Sequence, residues 1–339
     1  MPVAKGLIKF TGLLLALAAA AALLAAWWVQ RPLSTGPANA TLDLSIEPGT
    51  PSRAIAQLAV DAGLQTSPTL LYAWFRLSGQ SRQMRAGSYE IAPGTSPQRL
   101  LAMLVRGEES LRSLTLVEGW NWRQVRQALA KAELLRPDSQ GLSDADLMAQ
   151  LGRPGVAPEG RFYPDTYSYA KGSSDLKLLA RALKAMDKQL AKAWAARASG
   201  VALQNPEQAL VLASIVEKET GKPSDRSMIA SVFHNRLRIG MPLQTDPTVI
   251  YGLGEAFDGN LKRSHLRTDT PWNTYTRAGL PPTPIAMPGK AALMAAVQPA
   301  SSRALYFVAK GDGSSQFSET LEAHNRAVNR YQRGLAVAD

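Results

Sequence analysis

From Phe10 to Val29 the chain carries no charge and is rich in Leu and Ala. A run of about 20 such residues crosses the hydrocarbon core of a bilayer as one helix. Trp27 and Trp28 stand at its end, where interfacial aromatics belong; Lys5 and Lys9 precede it and Arg31 follows. Positive charge stays on the cytoplasmic side, so the short N-terminus is expected inside and everything after the span outside. A cleaved signal peptide is the alternative. The run is long for one, and Trp-Trp stands where a small-residue cleavage site would be needed. The expected layout is therefore a cytoplasmic N-terminus at 1–9, a transmembrane anchor at 10–30 and a short polar linker at 31–40. An exported chain meets neither ATP nor chromosomal DNA.

The 339 residues are enough for two domains beyond the anchor. Lys5, Lys9 and Arg31 supply three of the net +11 charges, and the remaining eight lie beyond the span. That surplus suits an anionic partner such as lipid headgroups or a carboxylate-bearing polymer. There is no cysteine, which removes thiolate metal sites, thiol nucleophiles and disulfides. His234, His265 and His324 lie far apart without metal-ligand spacing and are read as structural.

After the linker a pattern recurs. Leu42, Leu44 and Ile46 alternate with polar residues, Pro48-Gly49-Thr50 turns the chain, and a helix follows with Thr50 as expected N-cap. Tyr89 and Ile91, Pro93-Gly94-Thr95 and the helix of Leu100, Met103 and Leu104 repeat it. Leu114, Leu116, Glu118-Gly119 and the helix of Val125 and Leu129 give a third version. With a helix at about Pro68 to Leu77, the first unit reads strand, helix, helix, strand. That order resembles the LysM module, a small glycan-binding fold, and is assigned to 41–135. It fits a wall-binding module or a plain supporting α+β domain equally. Trp120 and Trp122 suit either sugar stacking or a core.

Residues 136–339 read as a mainly helical domain with long loops. Pro158 to Tyr167 (PEGRFYPDTY) is a dense aromatic loop, either a cleft wall or a packed connector. Asp175 to Arg197 is a long amphipathic helix. The stretch Ala209 to Thr220 (ALVLASIVEKET) is an apolar helix ending in two acids. At about 100° per residue, Leu212, Ile215, Val216 and Glu219 share one stripe, and Glu217 falls off it. A carboxyl desolvated by such neighbours has a raised pKa, as a general acid near neutrality requires. A helix followed by Gly240 to Gly254 and Thr270 to Gly289, both irregular, supplies Gln244, Thr245, Asp246, Tyr251, Asn273, Tyr275 and Arg277, a mix suited to sugar rings. Leu305 to Val308 and Gln316 to Ser318 read as a β-hairpin, and a helix runs from about Thr320 to Gly334.

The anchor, the strand–PGT–helix units, Glu159-Gly160…Tyr163-Pro164-Asp165-Thr166-Tyr167, Ala213 to Thr220, Asn235-Arg236-Leu237, Leu243 to Gly252 (LQTDPTVIYG), and Asn273-Thr274-Tyr275…Gly279-Leu280-Pro281-Pro282…Ile285 together resemble the endolytic murein transglycosylases, the MltG or YceG-like family. The resemblance spans nearly the whole chain, in order. It implies a bitopic inner-membrane protein, α+β in class. A LysM-like subdomain and a periplasmic catalytic domain would cleave inside nascent peptidoglycan strands, near the wall synthases. It implies that the second glutamate of Glu-Lys-Glu-Thr, here Glu219, is the catalytic acid. Gln244, Thr245, Asp246, Tyr251, Asn273 and Tyr275 are the candidate substrate-binding residues. No metal or cofactor is expected. A hydrolytic muramidase, with Asp246 as second carboxylate, and a non-enzymatic wall-binding scaffold are the alternatives.

Overall fold

The computed structural model describes residues 2–36 and 40–333, with side chains in the first helix from Leu13 onward. Lys5 and Lys9 therefore lie outside the described side chains. The chain divides into two compact units, Met1–Arg112 and Ser113–Asp339.

The first unit begins with α1 (Pro2–Gln30). Its segment Leu13–Gln30 has a mean hydropathy of 2.0 and is long and apolar enough to cross a membrane; it is exposed from Leu13 to Trp27, and Val29 near its end is buried. Then come β1 (Leu42–Ile46), α2 (Ser52–Asp61), α3 (Pro68–Leu77), β2 (Gly87–Ile91) and α4 (Pro97–Arg106). This is the expected strand, helix, helix, strand order. β1 and β2 pair antiparallel, with Leu44 opposite Tyr89. Leu44, Ile46, Tyr89 and Ile91 turn inward onto Ile55, Leu71, Phe75, Leu100 and Leu104, as the two-residue period of a strand demands.

The Pro-Gly-Thr repeat has a physical meaning that differs from capping. In both copies the threonine N–H donates to the carbonyl three residues back, Thr50 to Glu47 and Thr95 to Ala92, each at 3.2 Å. Both threonine hydroxyls donate to those same carbonyls. Gly49 and Gly94 have φ of +86° and +80°, so each copy has the proline and the glycine where a type II turn needs them. The expected N-cap Thr50 is thus a turn residue. α2 starts from Pro51 without a side-chain cap, whereas Ser96 caps α4. Glu118-Gly119 makes the same turn, closed from Trp120 to Val117 at 3.2 Å.

Within the expected linker, residues 33–34 are held by the first unit. Leu33 is buried in the core of this unit, its N–H donates to Thr95, and Gln65 donates to the Ser34 carbonyl at 2.8 Å. The apolar Leu33 side chain, set among polar neighbours in the sequence, finds a core only in three dimensions. Pro37, Ala38 and Asn39 lie outside the described residues.

The second unit contains most of β3 (Leu111–Thr115), then α5 (Trp122–Lys131), α6 (Asp144–Gln150), β4 (Thr166–Ala170), α7 (Asp175–Ala195), α8 (Pro206–Glu219), α9 (Arg226–Arg238), α10 (Asp246–Leu253), α11 (Arg263–Arg267), α12 (Lys290–Val297), the hairpin β5 (Tyr306–Ala309) and β6 (Ser315–Ser318), and α13 (Leu321–Gln332). The unit boundary lies upstream of the 135 expected from sequence. Residues 113–135 join the later chain because β3 pairs with β4 and Trp122 stacks on Phe162, ring centroids 4.9 Å apart. Trp122 is therefore core. α8 is the central helix, packed by α7, α9, α10 and α12, with every residue from Ala209 to Val216 buried.

Three helices, α10, α11 and α12, lie where only irregular chain was expected or nothing was assigned. α10 starts at Asp246-Pro247, which reads locally as a turn; proline in the first turn of a helix lacks only an N–H that would have no intrahelical partner there anyway. α12 is short and almost wholly apolar, without the polar face that marks a surface helix.

Candidate active site

α8 is well begun. Asn205 caps it through the N–H of Gln208, and Pro206 occupies its first turn. It ends at Glu219, where Thr220 turns extended. Because α8 is buried on all sides, the stripe that separated Glu219 from Glu217 in the sequence does not separate them in space. Leu210, Ala213 and Ser214, beneath Glu217, are as buried as Leu212 and Ile215. Both acids lose water, and burial raises both pKa values.

What distinguishes the two acids is what they touch. Glu217, its side chain only 7% exposed, accepts the N–H of Gly289 at 2.9 Å. Gly289 is the N-cap of α12, so Glu217 neutralises an unpaired helix-end donor. The role is structural. Glu219 is half-buried and accepts the hydroxyl of Thr245 on one carboxylate oxygen. Its pKa is pushed up to about 7, first by burial. The Thr245 bond opposes this, nearby Asp246 adds to it, and Arg236 opposes it. The carbonyl end of α8 is a further disfavourable place for a negative charge.

Thr245 is held from behind. Its N–H donates to the Thr274 hydroxyl at 3.1 Å, which contacts the Thr248 hydroxyl at 2.9 Å; Thr248 in turn donates to the Thr245 carbonyl at 2.8 Å. All three threonines are buried. The preceding Gln244 has φ of +48°, a left-handed conformation that costs a non-glycine residue energy. Its side chain is exposed and its N–H donates to Thr274. The strain is thus located one residue before the hydroxyl that meets Glu219.

Thr245, Asp246 and Tyr275 gather about Glu219. The Tyr275 hydroxyl donates to Asp246 at 2.6 Å, and both residues interact electrostatically with Glu219. Asn273 is placed differently. It is 0% exposed, its amide donates to the carbonyls of His265, Leu266 and Thr268, and its oxygen accepts the Tyr275 N–H. It shapes the loop and has no group left for a ligand. Tyr251 packs edge-on to Trp272 at 5.4 Å and shares a hydrogen bond with Glu159. Arg277 pairs with Asp269 on the surface.

Two charged groups stand in the quoted motifs without a role assigned from sequence. Glu159 is buried, accepts the Trp122 N–H at 3.0 Å on the first turn of α5, and has its pKa pushed up to about 7 by burial. Its loop is a packed connector, with Phe162 buried and Gly160 so close to Pro284 that a Cβ would meet it at 2.5 Å. The other is Arg236, buried on α9. No local pattern marks either; both are polar residues in segments whose burial is set by distant chain. His234 is fully buried, accepting the Ala202 N–H on Nδ1 and facing the Ala296 carbonyl with Nε2. It is a neutral structural histidine, its pKa lowered by burial.

The fold and site together define a mixed α+β protein behind one apolar N-terminal helix, with a carboxyl at the end of its central helix whose pKa burial raises to about 7. The YceG-like family model matches residues 44–330. A Bacillus subtilis protein, "Endolytic murein transglycosylase", is 30% identical over 315 residues, 86% of this chain and 85% of that one. A Streptococcus pneumoniae protein of the same description is 29% identical over 292 residues; the match takes in 76% of this chain and 53% of the relative, about half its length. A solved YceG-like protein from Listeria monocytogenes, 28% identical, superposes with a TM-score of 0.53 over 84% of this chain and 98% of its own. The chain belongs to the YceG-like family.

Proposed function

We propose that this chain is a peptidoglycan lytic transglycosylase whose single acid and base is Glu219. The observation that carries the reading is a half-buried carboxyl, near neutral in pKa and bonded to a hydroxyl held by buried threonines. Kinship with proteins described as endolytic murein transglycosylases supplies the substrate class.

Two-carboxylate glycosidases need a second acid to act on water or on the sugar. A lytic transglycosylase needs one. Protonated Glu219 donates to the oxygen between N-acetylmuramic acid and N-acetylglucosamine as the C1–O bond breaks. The resulting carboxylate removes the proton of the muramyl C6 hydroxyl, whose oxygen bonds to C1. The product carries a 1,6-anhydro end, and Glu219 regains its proton. Thr245 orients the carboxyl; Gln244, Asp246, Tyr251 and Tyr275 border the glycan. Such an enzyme, held in the inner membrane by α1 with its second unit in the periplasm, would cut nascent strands beside their synthases. The LysM-like first unit would position it on the wall.

Glu219→Gln should abolish release of fragments from sacculi while the fold persists; full activity sinks the assignment. Glu217→Gln keeps an oxygen for Gly289 and should retain most activity. Mass spectrometry of the products decides the chemistry. Anhydro ends are expected, whereas reducing ends would make Asp246 the second carboxylate of a muramidase.

A further inference from the structure

α3 is apolar on two sides. Leu71 and Phe75 face the core of the first unit and are fully buried. Leu70, Trp74 and Leu77 stand roughly 110° round the helix from them, at the i, i+4, i+7 spacing of a single stripe. This second stripe faces out. Leu70 is 54% exposed and Leu77 84%, whereas Leu15, the most exposed large apolar side chain of the described span, reaches 73%. The charge beside the stripe has one sign. From Ala62 to Tyr89 the chain carries Arg76, Arg82 and Arg85 and no acid. Arg76 and Arg82 are exposed, and among the described residues neither meets a carboxylate. Exposed apolar side chains, an aromatic among them and arginines alongside make up a helix that lies in a membrane interface.

The contacts of the chain bring this stripe to the end of the span. Leu33, three residues beyond Gln30, donates its N–H to the Thr95 carbonyl. The indole N–H of Trp74 donates to the carbonyl of Pro97, two residues further on, at 3.2 Å. Just before α3, Gln65 donates to the Ser34 carbonyl at 2.8 Å. The start of α4 therefore holds both the chain leaving the span and the middle of the stripe. Three residues of chain reach at most about 10 Å, and the headgroup layer on one side of a bilayer is about 5–8 Å deep.

We propose that α3 is a second membrane contact: the Leu70, Trp74 and Leu77 stripe enters the interface of the bilayer that α1 crosses, with Arg76 and Arg82 against lipid phosphates. The inference rests on the reading of α1 as a membrane span. Three side chains do not hold a protein on lipid by themselves, so the stripe acts together with the span. One span alone leaves the unit behind it free to tilt, and a second contact fixes both its tilt and its height above the lipid. A two-fold pair of chains would bring the same arginines toward one another, whereas lipid phosphates neutralise them.

The chain has no cysteine, so a single introduced one carries a nitroxide at a known place. The test uses the full chain in vesicles of phosphatidylethanolamine and phosphatidylglycerol. Oxygen concentrates in lipid and a nickel chelate stays in water, so the ratio of their collisions with the nitroxide reads depth. Labels at Leu70→Cys and Leu77→Cys should show a ratio several-fold above that at Gln57→Cys, and of the same sense as Leu17→Cys within the span. Gln57 lines a groove with Tyr72, on the far side of α3 from the stripe. Replacing both Arg76 and Arg82 with Gln should lower the ratio at Leu77→Cys; an unchanged ratio overturns the role given to the arginines. Water-like ratios at positions 70 and 77 beside a lipid signal at Leu17→Cys overturn the inference and leave the span standing. Shielding of 70 and 77 from both reagents, with spin coupling between copies, assigns the stripe to a second chain and overturns it as well. A water-like ratio at Leu17→Cys would instead overturn the reading of α1.

Discussion

Glu219 and Glu159 both lose water on folding, and the pKa of each rises to about 7 from an ordinary 4.5. Between those values the folded chain binds more protons than the unfolded chain. Each group's contribution to stability is therefore greatest at acid pH and is lost as pH climbs from about 4.5 through 7. His234 acts the other way, since its lowered pKa withdraws stability as pH falls below its ordinary 6.5. Replacing Glu219 with Gln removes one of the two carboxyl contributions. We expect the melting temperature of Glu219→Gln to exceed that of the unsubstituted protein above pH 7 and to vary less with pH; calorimetry across this range checks it. Under the proposed role the same variant should lose cleavage, so stability and activity should move in opposite directions, as they do where a site stores an unfavourable charge.

At the scale of elements, the acid-bearing end of α8 is fixed by what crosses over it. Ser214, fully buried, donates to the Val211 carbonyl at 2.7 Å and accepts the N–H of Ile285 at 3.0 Å. One hydroxyl thus ties the central helix to the segment leading into α12. Ser214→Ala leaves the Ile285 N–H buried without a partner. The expected cost is about 1–3 kcal/mol, read as a drop of several degrees in the melting temperature, with Glu219 chemistry retained well below it. An unchanged melting point would mean that Ile285 finds another acceptor. Glu217 makes a parallel tie through Gly289. The sequence alternation that marks β1, β2 and the hairpin was legible because each strand shows one face to a core. α12 was not legible, because a helix buried on most sides has no periodicity to read.

For the whole molecule, the question is how the apolar span joins the rest. Val29 and Leu33 are buried, and residues 33–34 hydrogen-bond to Thr95 and Gln65. The span therefore runs into the packing of the first unit without a flexible tether. A chain begun at Trp27 should leave the membrane fraction and keep the protection of β1 and β2 against hydrogen exchange. A chain begun at Ala40 loses Leu33 from the core, at a cost of about 2–3 kcal/mol, and should exchange faster in both strands. Equal protection in the two truncations would show that 33–35 contribute nothing.

The sequence by itself determined the apolar span, the order of most helices and strands, the turn-forming repeat and the acid-bearing end of α8. These depend on length, local periodicity and residue chemistry, which act over a few residues at a time. Only the tertiary structure decided what each acid touches. Burial and partnership are set by chain far away: Gly289 occupies Glu217, while the Thr245 hydroxyl, at the start of α10, meets Glu219. The wheel preferred Glu219 on the ground of one apolar stripe, but the helix proved apolar all round. Which carboxylate meets a helix end and which meets a hydroxyl is decided by partners 72 and 26 positions away in the chain, beyond the reach of any local pattern.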